Sequence, residues 1–273
     1  MGLCIGQIDY ANCFPIFSAL QRNFDCSNYR FVRGTPSVLN RQLLSGGIDL
    51  CPSSSIAYAR SAETLRLIPD LSISSVGPVQ SVKLFSRIPL AELDRTCIGL
   101  TVESETSVAL LKIILQKFYR FSNEFASVLV DDAFILGNNC PAILVIGDSA
   151  LKWTQKFTDM FQYDLGELWY SWTGLPFVFA LWMIRDEVVR KFPEESAGVQ
   201  ASLIGAKRIA VSTLEELVSA GTEYDWMGRE ALLEYWKIIS YDLTPWHLEG
   251  VRTFFRFATE IGILEREPAL RFL

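Results

Sequence analysis

One histidine, His247, is all that 273 residues contain, and none of the six cysteines belongs to a C-x-x-C pair. Those two shortages argue against a zinc site, which needs several His, Cys or carboxylate ligands at short spacing; no metal is expected. They also remove histidine-centred catalysis. A single imidazole has no partner constellation, and Leu248 and Val251 beside it indicate packing. Long hydrophobic runs are missing too. The longest, Leu175–Ile184, is about half of the ~20 residues that cross a bilayer as a helix, so no membrane span is expected. Basic residues are neither in excess nor clustered: 25 Lys and Arg stand against 31 Asp and Glu, a formal net charge of -6. A nucleic-acid surface needs a basic patch, so no nucleic-acid partner is expected. The chain also lacks a G-x-S-x-G elbow, a phosphate-cradling Gly-Lys-Ser/Thr loop and a G-x-G-x-x-G fingerprint. Its first residues, Met1–Gly6, have no basic segment and soon meet Asp9, so no secretory signal is expected and the chain is read as cytoplasmic. In that reducing compartment the cysteines are expected to be free, buried thiols.

What is present is an ordinary globular composition, 50% hydrophobic and 21% charged, enough for one large domain or two small ones. The first half alternates strands and helices. Leu3–Ile8, Tyr29–Val32 and Ile48–Cys51 read as strands. Between them, Asn12–Leu20 reads as a turn and short helix. Another helix opens at Thr35-Pro36 and stops at Gly46-Gly47. Ser53-Ser54-Ser55 caps a further helix to about Arg60. This rhythm predicts an α/β fold with a parallel sheet and right-handed crossovers. Leu71–Ser75 and Val79–Ser86 read as extended segments around the Gly77-Pro78 turn. A second α/β stretch includes Cys97–Val102, a buried helix over Ser107–Phe118 and the strand Ala142–Ile146. Leu175–Ile184 contains the last clear strand. Beyond Arg185 only helices are expected, with Pro193–Gly198 and Gly221–Asp225 as breaks. Two strand-rich stretches predict two lobes, with crossovers near Phe85–Pro89 and Gly174–Phe177, and a cleft between them for a small molecule.

In such a layout ligands sit beyond the carboxyl ends of the strands, where four loops carry polar groups. Asn12 follows the first strand and could hydrogen-bond a hydroxyl or carboxylate, or merely cap a turn. Ser54 and Ser55 open a helix, as do Thr106 and Ser107; hydroxyls and free N–H groups at a helix start suit an anion. Glu105 would oppose an anion, so it is expected to face solvent or a cation. Ser81 lies near the proposed crossover. Trp169, Trp172, Phe177 and Phe179 read as core and cleft wall.

Taken in order, the blocks Ile8–Pro15, Gly34-Thr35-Pro36, Ile48–Ile56, Pro69–Val82, Thr106-Ser107-Val108, Ile146-Gly147-Asp148, Tyr163–Gly166 and Trp172–Ala180 resemble the chorismate dehydratase family of the futalosine route to menaquinone. The resemblance spans residues 3–264. It implies a two-lobed type II periplasmic-binding-protein-like fold with a C-terminal helical extension. One lobe would be 1–87 with 175–273, the other 88–174. It implies dehydration of chorismate to 3-(1-carboxyvinyloxy)benzoate without a cofactor. Asn12 and Ser81 would lie nearest the reacting carbons, and Ser54, Ser55, Thr106, Ser107, Gly147 and Asp148 would bind the substrate. The base is open between Asp148 and the substrate's own enolpyruvyl carboxylate. Many members have Arg where this chain has Glu105. Two rival readings are the related 1,4-dihydroxy-6-naphthoate synthase, which relies on a cleft histidine, and a non-catalytic solute-binding protein for a small carboxylate.

Overall fold

Strand β1 (Leu3–Ile8) is buried along its whole length, as a strand covered on both faces must be. In the computed structural model, which describes residues 2–128 and 140–273, it lies near one edge of a sheet with the order β11-β4-β10-β3-β1-β2. Its neighbours are β2 (Tyr29–Gly34) and β3 (Leu50–Ser54), both parallel to it. β10 (Phe177–Arg185) then inserts antiparallel between β3 and β4 (Leu65–Ser75). β11 (Ile239–Ser240) completes the far edge. The sheet is therefore mixed where the sequence predicts a parallel one. β3 pairs with β1 only at Leu50, so Pro52, with no N–H to give, stands where that ladder has ended.

The second sheet has the order β7-β6-β8-β5-β9. Its strands are β5 (Val82–Ser86), β6 (Cys97–Thr101), β7 (Glu124–Val128), β8 (Ala142–Ile146) and β9 (Phe161–Asp164). β5 is an interior strand, antiparallel to both β8 and β9. The first crossing between sheets is thus 76–81, at the Gly77-Pro78 turn, and not Phe85–Pro89 as the sequence suggests. The return crossing carries α6 (Leu165–Thr173) and the left-handed Gly174.

Helices α1 (Phe14–Asn23), α2 (Pro36–Ser45) and α3 (Ser55–Ser61) belong with the first sheet, and α4 (Glu105–Ile113) and α5 (Gly147–Lys156) with the second. The helix predicted over Ser107–Phe118 changes to a π turn at Ile114–Phe118. The largest correction lies at Pro193–Gly198. Read as a break, it instead opens α8 (Pro193–Ser212), after α7 (Asp186–Lys191). Proline at the first position has no N–H to leave unpaired, and Glu194 and Glu195 suit the positive helix start. Gly205 lets α8 close on α1's neighbour Phe24, whose ring would lie 2.5 Å from an added Cβ. Helices α9 (Leu214–Val218), α10 (Arg229–Ile238) and α11 (Pro245–Glu260) follow.

The cysteines are not all free. A disulfide joins Cys97 and Cys140, whose Cα atoms are 4.6 Å apart; parallel β6 and β8 align there, with Ile98 opposite Ala142. Cys4, Cys13 and Cys51 are the expected buried thiols. His247 is a packed residue at the start of α11, bonded to Thr244 Oγ1 at 2.8 Å and Ser240 Oγ at 3.3 Å.

Candidate active site

Five helices begin on the wall of one cavity. Cys13 (before α1), Pro36 (opening α2), Ser54 (before α3), Ser104 (before α4) and Gly147 (opening α5) all line it. Each helix follows a strand whose carboxyl end points into the gap between the sheets, so strand-to-helix connections force the helix starts together. The cavity holds ≈ 570 Å³ of empty space, part of it open to solvent. Ile8, Ile73, Val79, Val82, Ile146 and Phe179 supply its apolar surface, and among the described residues none of the lining side chains is Lys, Arg or His. Positive potential therefore comes from N–H groups and helix dipoles.

Of the residues chosen from the sequence, Asn12, Ser54, Ser81, Ser107 and Gly147 line this cavity. Asn12 Oδ1 is buried without a hydrogen-bond partner, while its backbone carbonyl accepts from the Tyr241 hydroxyl at 2.9 Å. A buried unpaired acceptor costs about 1–3 kcal/mol, which a ligand donor would recover. Ser81 is buried; its carbonyl accepts from Gly147 N at 2.7 Å. Behind it, the Tyr235 hydroxyl hydrogen-bonds Ser81, and burial raises that phenol well above its ordinary range. Ser54 Oγ caps α3 by accepting from Ala57 N at 3.3 Å. Asn40, itself buried, accepts from Ser53 Oγ and from Ser54 N at 3.4 Å, which orients the serine run. Ser107 Oγ accepts from Ser104 Oγ at 3.0 Å.

Three chosen residues lie elsewhere. Ser55 Oγ donates to Val178 O at 2.7 Å, fully buried and off the cavity wall. Thr106 Oγ1 accepts from Ile56 N at 3.2 Å, tying α4 to α3. Asp148 Oδ1 accepts from Ala11 N at 3.1 Å. The last two bonds join segments attached to different sheets. Two more contacts do the same: Tyr10 donates to Glu103 Oε2 at 3.2 Å, and Arg60 pairs with Glu105. Glu105 thus meets a cation, as expected. The cleft is closed by these contacts.

Sequence reading missed Tyr10, Ser104 and Tyr235. Tyr10 and Ser104 stand in the same loops as Asn12 and Thr106, and the sequence carries a signal: each lies two residues before a chosen polar residue, just after a strand. Tyr235 comes from α10, with no local motif to mark it. Burial, reinforced by Glu103, raises the Tyr10 phenol above its ordinary range, so it stays a neutral donor. Gly147 has φ +60 and an added Cβ would fall 2.9 Å from the Tyr10 ring; glycine is required there on both counts. Burial likewise raises the Cys13 thiol, which leaves it protonated on the cavity wall. Among the described residues no group of three His, Cys, Asp or Glu converges to hold a metal ion.

Comparison with known proteins matches residues 3–260 to a family described as menaquinone biosynthesis. A chorismate dehydratase from Thermus thermophilus is 34% identical over 234 residues, 79% of this chain and 80% of that protein. An Archaeoglobus fulgidus crystal structure superposes with a TM-score of 0.79 at 16% identity, covering 96% of this chain and 98% of the other. A Candida albicans protein described as having the generic periplasmic binding protein fold gives a TM-score of 0.71 at 13% identity, covering 98% and 92%. The two structural likenesses establish the fold, two α/β lobes of the periplasmic-binding-protein kind, and nothing about ligand.

Proposed function

This chain belongs to the chorismate dehydratase family of menaquinone biosynthesis, and from that premise we propose that it converts chorismate to 3-(1-carboxyvinyloxy)benzoate and water, without a cofactor and in the cytoplasm. The observation that carries this reading is the ring of five helix starts around a cavity whose lining, among the described residues, includes no Lys, Arg or His. The positive ends of the helix dipoles at these starts suit an anion. Chorismate carries two carboxylates, with an apolar ring edge for Ile73, Val79 and Phe179 to cover.

The reaction removes the proton on the ether carbon to a base and the hydroxyl on the neighbouring ring carbon; the C–H electrons form the new ring double bond, the C–O pair leaves with the oxygen, and the departing hydroxyl takes up the proton from the base and leaves as water. Aromatisation supplies the driving force, so the protein mainly orients the substrate and excludes water. Asn12 accepts from the leaving hydroxyl through its unpaired Oδ1. Ser81 donates to the same oxygen as it departs. Ser54 and Ser107, with the amides of the helix starts, hold the carboxylates. Asp148 is engaged by Ala11 N and sits off the cavity wall, which favours the substrate's enolpyruvyl carboxylate as the base. The absence of a cavity histidine argues against the naphthoate synthase reading.

The test is to incubate the purified protein with chorismate and follow the product by mass. Loss of one water with an aromatic absorbance supports the dehydratase. Binding without turnover supports the solute-binding alternative, and neither binding nor turnover refutes chorismate as ligand.

A further inference from the structure

Ser81 stands at the end of an unusual turn. Gln80 has φ +63, a left-handed backbone in a residue that carries a side chain, and Ser81 N bonds back to Val79 O at 2.8 Å. Such a conformation costs about 1–2 kcal/mol in a non-glycine residue, and it persists only when neighbours hold it. The holder is Asp164, the last residue of β9, which is buried and does not line the cavity. Its carboxylate accepts from Val79 N at 3.0 and 3.1 Å and from Gln80 N at 2.6 Å. The same carboxylate caps α6, accepting from Gly166 N at 2.9 Å and Glu167 N at 3.1 Å. One side chain therefore grips both segments that pass between the sheets. They touch directly as well: a Cβ on Gly166 would lie 2.5 Å from the Gly77 carbonyl oxygen. Burial raises the Asp164 carboxyl, against the pull of the Val79, Glu167 and Gln80 amides.

We infer that Asp164 is a positioning residue for the dehydration, holding the Val79–Gln80 turn in the left-handed form that presents the Ser81 hydroxyl to the substrate. The inference rests on the reading of Ser81 as a group that meets the substrate.

The test separates the two functions of the carboxylate. Asp164→Ser and Asp164→Asn both keep a residue favoured as a helix cap, so α6 retains its start and the fold is preserved. Serine is too short to reach Val79 and Gln80; asparagine, with its oxygen kept on α6 and Val79 N, turns its amide donor toward Gln80 N. Kinetics with chorismate are then measured for each variant, for Ser81→Ala, and for the double variants. A displaced catalytic group can cost about a hundredfold, so kcat is expected to fall about tenfold to a hundredfold with KM changed less than about threefold. Ser81→Ala should lower kcat strongly in the parent but by less than about threefold in the Asp164 variants, because a hydroxyl already out of place has little left to lose. An equal Ser81→Ala effect in both backgrounds overturns the inference, as does parental kcat in Asp164→Ser. Parental turnover by Ser81→Ala alone overturns the reading of Ser81 instead, and the inference with it.

Discussion

Substituting Gly147 by alanine tests the closed cleft with a single methyl group. At φ +60 the alanine backbone costs about 1–2 kcal/mol. The methyl also lands 2.9, 3.0 and 3.1 Å from three atoms of the Tyr10 ring. That ring is not free to retreat, since its hydroxyl is held by Glu103 across the cleft at 3.2 Å. Overpacking of this kind adds about 1–3 kcal/mol, for a total of roughly 2–5 kcal/mol. In a chain of this length each kcal/mol lowers Tm by about 2–4 °C, so a drop of roughly 4–20 °C is expected by differential scanning calorimetry. Gly262→Ala is the control. Gly262 has φ +74 with nothing within 4 Å of an added Cβ, so it carries the backbone cost alone. Gly147→Ala should also lower kcat/KM with chorismate by about tenfold or more, since the added methyl and the strained backbone distort the cavity wall that Gly147 and Tyr10 share, whereas Gly262→Ala should leave it unchanged. Equal Tm losses in the two variants would refute the contact of Tyr10 with Gly147 and the closed cleft built on it.

Ser54→Ala and Ser55→Ala should part company: the first raises KM for chorismate, while the second leaves kinetics unchanged and loses about 1–2 kcal/mol of stability, because Val178 O is left without its donor. Urea melts and initial rates on both variants check this. Asp186 is held by Arg66 at 2.6 Å, Arg271 at 3.0 Å and Arg190 at 3.1 Å, and the Arg66 hydrogen bond, the largest influence, keeps its carboxyl below the ordinary range. Its contribution to stability is therefore complete above the unfolded carboxyl value of about 3.9 and lost as pH falls through the lower folded value. Asp186→Asn should lower Tm at neutral pH, and the gap from the parent should close in acid; a gap that stays constant down to about pH 2 refutes the assignment. Burial lowers the His247 imidazole, so its stabilising share is present above about pH 6.5 and lost as pH falls through the folded value. His247→Asn should reduce that acid-side loss while kcat/KM stays within about twofold of the parent; a large loss of turnover would bring histidine back into the chemistry.

Local signals in the chain were dependable where backbone chemistry is specific to one conformation. Thr35-Pro36 and Gly46 bracket α2 as read, with Gly46 left-handed at φ 83. Leu3–Ile8 and Ala142–Ile146 are the buried strands that their apolar runs indicate. The cavity lining is legible in part: Asn12, Ser54 and Ser107 stand at strand ends or helix starts, Ser81 just before β5, and all four line one cavity. What could not be read was set by tertiary partners. Thr106 carries the same hydroxyl as a ligand-binding threonine, but Ile56 N takes it. Ser55 differs from Ser54 only in which way one helix start faces. Val82–Ser86 looks continuous with the segment before it, and only its pairing with β8 and β9 assigns it to the second sheet. The Pro193 break failed because proline signals a helix start as readily as a stop. The Cys97–Cys140 pair depends on strand neighbours that are 43 residues apart in sequence.

The placement of β10 has a consequence for how the molecule comes into being on the ribosome. β3 and β4 are synthesised early, yet the strand that separates and pairs with both, Phe177–Arg185, emerges only after the entire second sheet. Until then two inner strands have exposed edges, the condition that invites pairing with other chains. The inserted sheet, β5 to β9, is contiguous in sequence and can assemble first. The outer sheet must wait for contacts of long sequence separation, which form slowly. Because the cavity needs helix starts from both sheets, it is complete only when that late strand is in place. A nascent chain halted at Gly174 would carry Asn12, Ser54, Ser81, Ser107 and Gly147 and still have no assembled site. Recovery of activity on refolding should therefore follow the slowest structural phase and none of the earlier ones.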